Sequence, residues 1–370
     1  METRSDIILP LRERSLRPPI LVLGLNGVPG YGLFRYFNRL YGGTDTFNGE
    51  SAQIHPAPHS THVIGIRPVK HPCVFGENVH AINAEDFEGL KNLFETYHFN
   101  TVIDASGNCA LRACECDAAL SKLLNYSQGV DAARLAVDHG CTLIRISTDM
   151  VWSGRYDREE MRPYLETDDK DPIHNYGKHQ SEAEDEIARI DPDTVFLRVP
   201  LPMDYAPGGC AGAIDWISYR FRPGWPATLY IDEFRNPILG QDLYKVVQYI
   251  LEHEFPAGVY NCGGTRKVSL YNAGQLVNAI GGYSPELLHG CLRKEAGPLP
   301  PRVGDLSIDS SKLYKLLPKG FIRPWPTDDK LVPVGFDWHR TFGRHIKDKK
   351  IMGSEEAIYK YLVLGQMANF

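Results

Sequence analysis

Two adjacent hydroxyls, Ser147 and Thr148, followed by Asp149, precede Tyr176 in this chain. The run before them, Cys141-Thr-Leu-Ile-Arg-Ile, is apolar and β-branched and reads as a buried strand that ends on the hydroxyls. From Tyr176 the spacing turns helical. Tyr176, Gln180, Ala183 and Ile187 share one face, and Asp191-Pro192 stops the run. A hydroxyl pair at a strand end thus faces a phenol on the next helix. In open α/β sheets ligands lie outside the carboxyl ends of the strands. The arrangement suits a hydroxyl that holds a substrate oxygen while a phenol gives or takes its proton.

A second signal lies near the N-terminus. Ile20-Leu-Val-Leu is a short apolar strand that runs into Gly24-Leu-Asn-Gly27-Val-Pro-Gly30. A helix follows, with Leu33, Phe34, Phe37 and Leu40 on one face, and Gly42-Gly43 ends it. Glycines there let the backbone turn tightly and approach a pyrophosphate, which then meets helix N–H groups. The G-x-x-G-x-x-G spacing alone is weak, but its place in a strand-turn-helix unit strengthens it. Gly24, Gly27 and Gly30 are the expected cofactor glycines.

The elements that must position these groups alternate along the chain. Residues 44–60 read as a polar loop inserted in the first crossover. His62 to Arg67 is a second strand, and a cofactor ribose is expected at its end. An acidic residue there favours NAD, and basic residues favour the 2′-phosphate of NADP. The chain offers Arg67, with Lys70 and His71 behind it, and no carboxylate. NADP(H) is therefore expected ahead of NAD(H); the alternative is that these are exposed loop cations. His80 to Asn83 is a third strand, Asp86 to Tyr97 a helix, and Thr101 to Asp104 a fourth strand with Ala105-Ser106-Gly107 as its exit. Asn108 to Asp117 reads as a loop. A long helix follows, with Leu120, Leu123, Leu124, Val130 and Leu135 as its stripe and Gly140 as its stop; Asn125 interrupts the stripe. Thr194 to Pro200 is another strand.

The central segment, S-T-D-M-V-W-S-G and then E-T-D-D-K-D-P-I-H-N-Y-G-K-H-Q, resembles the extended short-chain dehydrogenase/reductases, and within them the dTDP-4-dehydrorhamnose reductase family. That family carries S-T-D-Y-V-F-x-G and E-x-D-x-x-x-P-x-N-x-Y-G-K-T-K. The chain is read as matching at Ser147, Thr148, Asp149, Val151, Gly154, Glu166, Pro172, Asn175, Tyr176, Gly177 and Lys178. Where the family has its second lysine, this chain has Gln180. Phe234-Arg-Asn-Pro-Ile-Leu-Gly-Gln-Asp-Leu and the stretch from Pro301-Arg302 to Leu313 resemble later family motifs.

The resemblance implies a catalytic set of Thr148 and Tyr176, with Ser147 near them and position 180 beside the ribose. It places Ala105, Ser106, Gly107 and Asn125 along the cofactor, and Asp149 and Arg302 toward the substrate. For Asn125 a plain hydrogen bond to a neighbouring helix is an equal reading. Arg302 suits a substrate phosphate, which a planar fork binds well, and equally a structural surface role. Glutamine can hydrogen-bond a ribose but brings no charge. Lys178 does not replace the lysine, since two residues along a helix is a rotation of roughly 200°.

Alternating strands and helices opened by a glycine turn imply a Rossmann-type doubly wound parallel sheet with a smaller C-terminal substrate-binding domain. The expected division is an arm over 1–18 and a dinucleotide-binding domain over 19–200, joined by parts of 233–264. The substrate-binding domain takes 201–232 and 265–325, and an extension covers 326–370. The function implied is NADP-dependent reduction of a 4-keto sugar nucleotide, with hydride from the cofactor and a proton from Tyr176. The alternative is a catalytically weakened cofactor-binding regulator or scaffold, resembling the β regulatory subunit of methionine adenosyltransferase.

Composition narrows the rest. A net charge of −6 over 370 residues argues against a general nucleic-acid binder. No apolar run reaches the ~18–20 residues of a membrane span, and the first residues lack a signal-peptide core. Eight scattered cysteines make neither a disulfide framework nor a zinc set, so no metal is expected. The cytoplasm is the expected compartment. The expected partner is a small-molecule sugar nucleotide, with no nucleic acid and no membrane, and a homo-oligomer left open.

Overall fold

Ile20–Leu23 is buried at all four positions, because both of its faces are covered. Ile20 and Val22 join one hydrophobic core, and Leu21 and Leu23 join the other. The computed structural model describes residues 11–47, 51–58, 60–155, 162–208, 211–325 and 358. In it this strand lies within a seven-stranded parallel sheet. The order across the sheet is Gly258–Asn261, Val195–Val199, Thr142–Thr148, Thr101–Asp104, Ile20–Leu23, Val63–Arg67 and Val79–Ala81. Continuous apolar runs suit the inner strands of such a sheet, both of whose faces are covered. One face is packed by the helices Val28–Leu40 and Gly240–Leu251, through residues such as Phe34, Phe37, Val246 and Ile250. The other is packed by Phe87–Tyr97, Gln128–Asp138 and Asn175–Ile190, through Leu93, Phe94, Ala133, Ala183 and Ile187.

Leu23 pairs with Ile66 on one side and Asp104 on the other, so Gly24, Arg67 and Ala105 leave the sheet at the same edge. The chain reverses its strand order there, which opens a crevice outside the carboxyl ends. A separate core forms around Met203, Ile214, Ile217, Leu229, Leu276 and Ile280. Its helices are Ala213–Phe221 and Leu270–Gly281, and a parallel pair, Ala227–Tyr230 with Leu288–Cys291, lies beside them. Ser269 caps the second helix by accepting the Asn272 N–H at 3.0 Å.

Three expectations change. The polar stretch 44–60 is not a plain loop. Thr44–Phe47 and Ala52–His55 pair antiparallel, and Val74–Phe75 joins them. The reason is a period of two hidden in polar composition: Ala52 and Ile54 are buried, while Gln53 and His55 face out. Within 108–117, Leu111–Cys116 is helical. The single long helix expected after it is broken into Ala118–Lys122, a π-helical turn Leu123–Ser127 and Gln128–Asp138. Such turns interrupt helices where a side chain is being placed, and the residue placed here is Asn125.

The described part of the arm runs under the opposite edge of the sheet. Arg14 donates from Nε to the Leu251 carbonyl at 3.0 Å and from its backbone N–H to the Glu252 carbonyl at 2.7 Å. These are orphan carbonyls at a helix C-terminus, where a cation is favourable. The Thr101 hydroxyl donates to the Arg17 carbonyl at 3.1 Å. No described helix is long and apolar enough to cross a membrane. The reading of residues 326–370 as an extension lies outside the described residues, Ile358 apart, which is buried in the second core.

Candidate active site

Thr148 ends the longest strand. Its Oγ1 accepts the Met150 N–H at 3.1 Å and so starts the turn Asp149–Val151. The helix Asn175–Ile190 begins against that turn. A Cβ at Gly177 would sit 2.1 Å from the Met150 carbonyl oxygen, so only glycine lets the two segments approach. This contact brings the Tyr176 phenol to the Thr148 hydroxyl. Burial pushes the phenol far above its usual range. The nearby Cys109 adds to this, and the Thr148 hydrogen bond and the Arg145 charge oppose it. The phenol therefore keeps its proton throughout the ordinary pH range, as a proton donor to an alkoxide must.

The helix cap is His174, whose Nδ1 accepts the Gly177 N–H at 3.0 Å. The P-x-N-x-Y spacing places the motif's asparagine at 174, so the match read at Asn175 is one residue out. Asn175 itself donates from Nδ2 to the Cys114 carbonyl at 3.1 Å and lies outside the cap.

One turn beyond Tyr176, the Gln180 side chain is buried. Its Oε1 accepts from Arg145 Nη2 at 2.9 Å, and its Nε2 donates to Asn125 Oδ1 at 3.4 Å. Asn125 Oδ1 also accepts the Asn108 N–H at 2.8 Å. Asn125 thus ties the π-helical turn to the exit loop and to Gln180 together, which exceeds a plain bond to a neighbouring helix. Arg145 is 1% exposed and is bonded to the Asp104 carboxylate, its cross-strand partner, and to the Ser106 hydroxyl at 3.1 Å. Sequence reading passed over Arg145 and Asp104. The available signal was a charge in the middle or at the end of an apolar strand, which in a buried sheet requires a partner.

Ser147 is placed differently from the expectation. Its hydroxyl donates to Glu184 Oε1 at 2.5 Å, and Arg198 forks onto the same carboxylate at 3.0 and 2.7 Å. Burial works against that carboxylate, but Arg198, Lys170 and Ser147 outweigh it and hold it below its usual range. Ser147 thus belongs to an internal ion network. The strand and helix meet in rungs, Arg145 with Gln180 and Ser147 with Glu184.

Asp149, expected at the substrate, is fully buried, and both of its oxygens are held by Arg235 Nη1, at 2.7 and 2.8 Å. Arg235 also donates to Glu233 at 2.9 Å. Asp149 therefore fixes Arg235 instead of reaching outward. From sequence Arg235 was read only as part of a stretch resembling a later family motif, with no role, and Glu233 was not singled out, because so short a segment carries no periodic signal.

At the glycine turn, Gly24 has φ +87, and a Cβ there would lie 2.2 Å from the Ala105 carbonyl oxygen. A Cβ on Gly30 would lie 2.2 Å from the Gly24 carbonyl oxygen. Those two glycines are required by the packing of the turn itself. Gly27 is different: a Cβ there would meet nothing nearer than 3.6 Å. It precedes a helix of 13 residues whose first turn has no capping side chain and no acid. That end is left open to an anion.

Arg67 donates to the Val74 carbonyl at 2.8 Å and to the Pro68 carbonyl at 3.1 Å, which folds it over its own loop. Ala105, Ser106 and Gly107 exit the sheet beside the glycine turn, and Ser106 N–H is held by Asp104 Oδ1 at 2.9 Å. A cleft of about 740 Å³ runs from Asn26 of the glycine turn past Asn108 and Cys109 to Leu201, Trp216 and Leu229. Arg302 lies with its guanidinium 5.3 Å from the centre of the Tyr230 ring, and its buried Nε has no partner among the described residues.

Comparison with known proteins places this geometry. The family model described as RmlD substrate binding domain matches residues 20–317. The chain is similar to the probable low-salt glycan biosynthesis reductase Agl14 of Haloferax volcanii, 25% identical over 163 residues, covering 43% of this chain and 52% of that protein. It is also similar to the spore coat polysaccharide biosynthesis protein SpsK of Bacillus subtilis, 23% identical over 194 residues, covering 51% and 64%. The matches thus span only about half to two thirds of these relatives. Among solved structures, dTDP-4-dehydrorhamnose reductase from Bacillus anthracis in complex with NADP superposes with a TM-score of 0.62 at 14% identity, covering 90% of this chain and 98% of that one. The Bordetella bronchiseptica enzyme WbmG in complex with NAD and UDP superposes at 0.61 with 17% identity, covering 80% and 87%. With the family model spanning most of its length, the chain belongs to the RmlD substrate binding domain family of the extended short-chain dehydrogenase/reductases.

Proposed function

We propose that the protein is a nicotinamide-dependent reductase of a keto sugar nucleotide. The observation that carries this reading is the Thr148 hydroxyl against a Tyr176 phenol that burial keeps protonated, at the carboxyl edge of the sheet. The open helix end at Gly27 fits a dinucleotide pyrophosphate, and the cofactor would supply hydride. Thr148 would hold the carbonyl oxygen, and Tyr176 would give its proton to the forming alkoxide. Gln180 and Asn125 would meet the ribose side. Related structures are bound to NADP in one case and to NAD in another, so the choice falls to this chain's own residues. Arg67 ends the second strand, where a basic residue favours NADP(H), although its Nε and Nη1 are bonded to the Val74 and Pro68 carbonyls.

Arg302 is the proposed partner of a substrate phosphate. Its stacking on Tyr230 fixes the fork, and it has no carboxylate of its own among the described residues. The apolar wall of the cleft, with Leu201, Trp216 and Leu229, suits the base or deoxysugar. The test is titration with NADPH and NADH, followed by NADPH consumption on a panel of 4-keto sugar nucleotides. Turnover on one member is expected. Folded protein that binds neither dinucleotide ends this reading, and binding without any turnover favours a regulatory role instead.

A further inference from the structure

We infer that Arg145 is the cationic positioning residue of this site, having taken over from the strand the place that a lysine at 180 would fill from the helix. This rests on the reading of Tyr176 as proton donor. Three observations support it. First, Arg145 is buried at 1% exposure and reaches Gln180 at 2.9 Å, on the residue one helical turn from Tyr176. Second, the contact fixes which way the carboxamide points. A guanidinium has only donors, so the atom facing it is Oε1, and the amino end must face Asn125. The Asn125 orientation is fixed in turn, because its Oδ1 accepts a backbone N–H. Gln180 is thereby held as a donor beside Gly107, where a Cβ would lie 2.8 Å from its Nε2. Third, the charge of Arg145 acts on the Tyr176 phenol in the direction opposite to burial.

The same network explains why glutamine stands at 180. A lysine there would set an ammonium against the Arg145 guanidinium, and Asp104 alone would face two buried cations. Like charges in a buried site are costly, so the two positions are coupled: one cation, supplied from one side or the other. Arg145 does not touch substrate; it acts through Gln180 and through its charge.

The experiment is a charge-exchange cycle of Arg145→Met, Gln180→Lys and the double variant, followed by melting temperature without ligand, NADPH affinity and turnover. Each single change is expected to lower the melting temperature and to cut turnover at least tenfold. The double variant, with one cation restored from the helix, is expected to recover both to within about threefold of the parent's turnover. Because Arg145→Met leaves Asp104 without its partner, Arg145→Met with Asp104→Asn is measured beside it. That pair is expected to stay folded and still lose turnover, which a purely structural arginine would not produce. Losses that simply add in the double variant overturn the inference, and so does full turnover in the neutral pair. A parent that binds no dinucleotide counts against the proposed function instead, and the melting cycle then decides the coupling alone, recovery supporting it and additive loss overturning it.

Discussion

His174 accepts the Gly177 backbone N–H on Nδ1 at 3.0 Å, and in doing so fixes its own proton on Nε2, which has no partner among the described residues. Burial lowers this imidazole to about 4, with the charges of Arg235 and Lys178 acting in the same direction. Its ordinary value is ~6.5. The folded form therefore resists a proton that the unfolded chain accepts. The stability tied to a neutral His174 is complete above the unfolded value and is lost as pH falls from about 6.5 to about 4. At ~1.36 kcal/mol per unit the loss approaches about 3 kcal/mol. His174→Asn keeps a cap of a strongly preferred type and removes the titration. Melting curves across this range should be steep for the parent and flatter for the variant; equal slopes refute the assignment.

The three residues Ser147, Thr148 and Tyr176 should separate by role. Thr148→Ala and Tyr176→Phe should each lower reductase turnover by on the order of 10²-fold or more while the fold persists. Ser147→Ala should leave turnover near that of the parent but cost about 1–3 kcal/mol, because the Glu184 carboxylate loses a charge-assisted hydrogen bond. Steady-state kinetics and chemical denaturation of the three variants decide it. A Ser147→Ala enzyme as inactive as Thr148→Ala would return Ser147 to the catalytic set.

The glycine turn offers a contrast between packing and binding. Gly24→Ala forces a Cβ against the Ala105 carbonyl at a positive φ, so the protein should lose stability severely. Gly27→Ala meets no protein atom nearer than 3.6 Å and should melt close to the parent. If a pyrophosphate lies over that helix end, the added methyl should weaken NADPH binding about tenfold or more, a cost of ~1.4 kcal/mol. Unchanged NADPH affinity in Gly27→Ala would remove the pyrophosphate from this position.

Arg302→Met should raise the KM for a sugar nucleotide roughly tenfold, since one charged hydrogen-bonding partner is worth about 1.5–3 kcal/mol. NADPH affinity should not move, as the residue stacks on Tyr230, in the strand pair beside the second core. Initial-rate kinetics with each reactant varied in turn reads this directly. A fall in NADPH affinity with no change in the sugar-nucleotide KM would refute the role.

What the chain order determines is the frame. Continuous apolar strands such as Ile20–Leu23 and Val195–Val199, alternating with helical spacing, demand a sheet covered on both faces, and the glycine turn marks where that sheet opens. The positions of Thr148 and Tyr176 were legible for the same reason: one ends a strand, the other lies in the first turn of a helix, and local periodicity locates both. What tertiary structure decided is the destination of each buried charge. Asp149 reads as a site residue until Arg235, 86 positions away, takes both its oxygens. Ser147 reads as a second hydroxyl until Glu184 claims it. Arg145 is invisible as a participant until Asp104 and Gln180 converge on it from another strand and a helix. Burial obliges each such group to find a partner, but the partner is set by the register of strands and the facing turn of a helix. No local window of sequence contains that register.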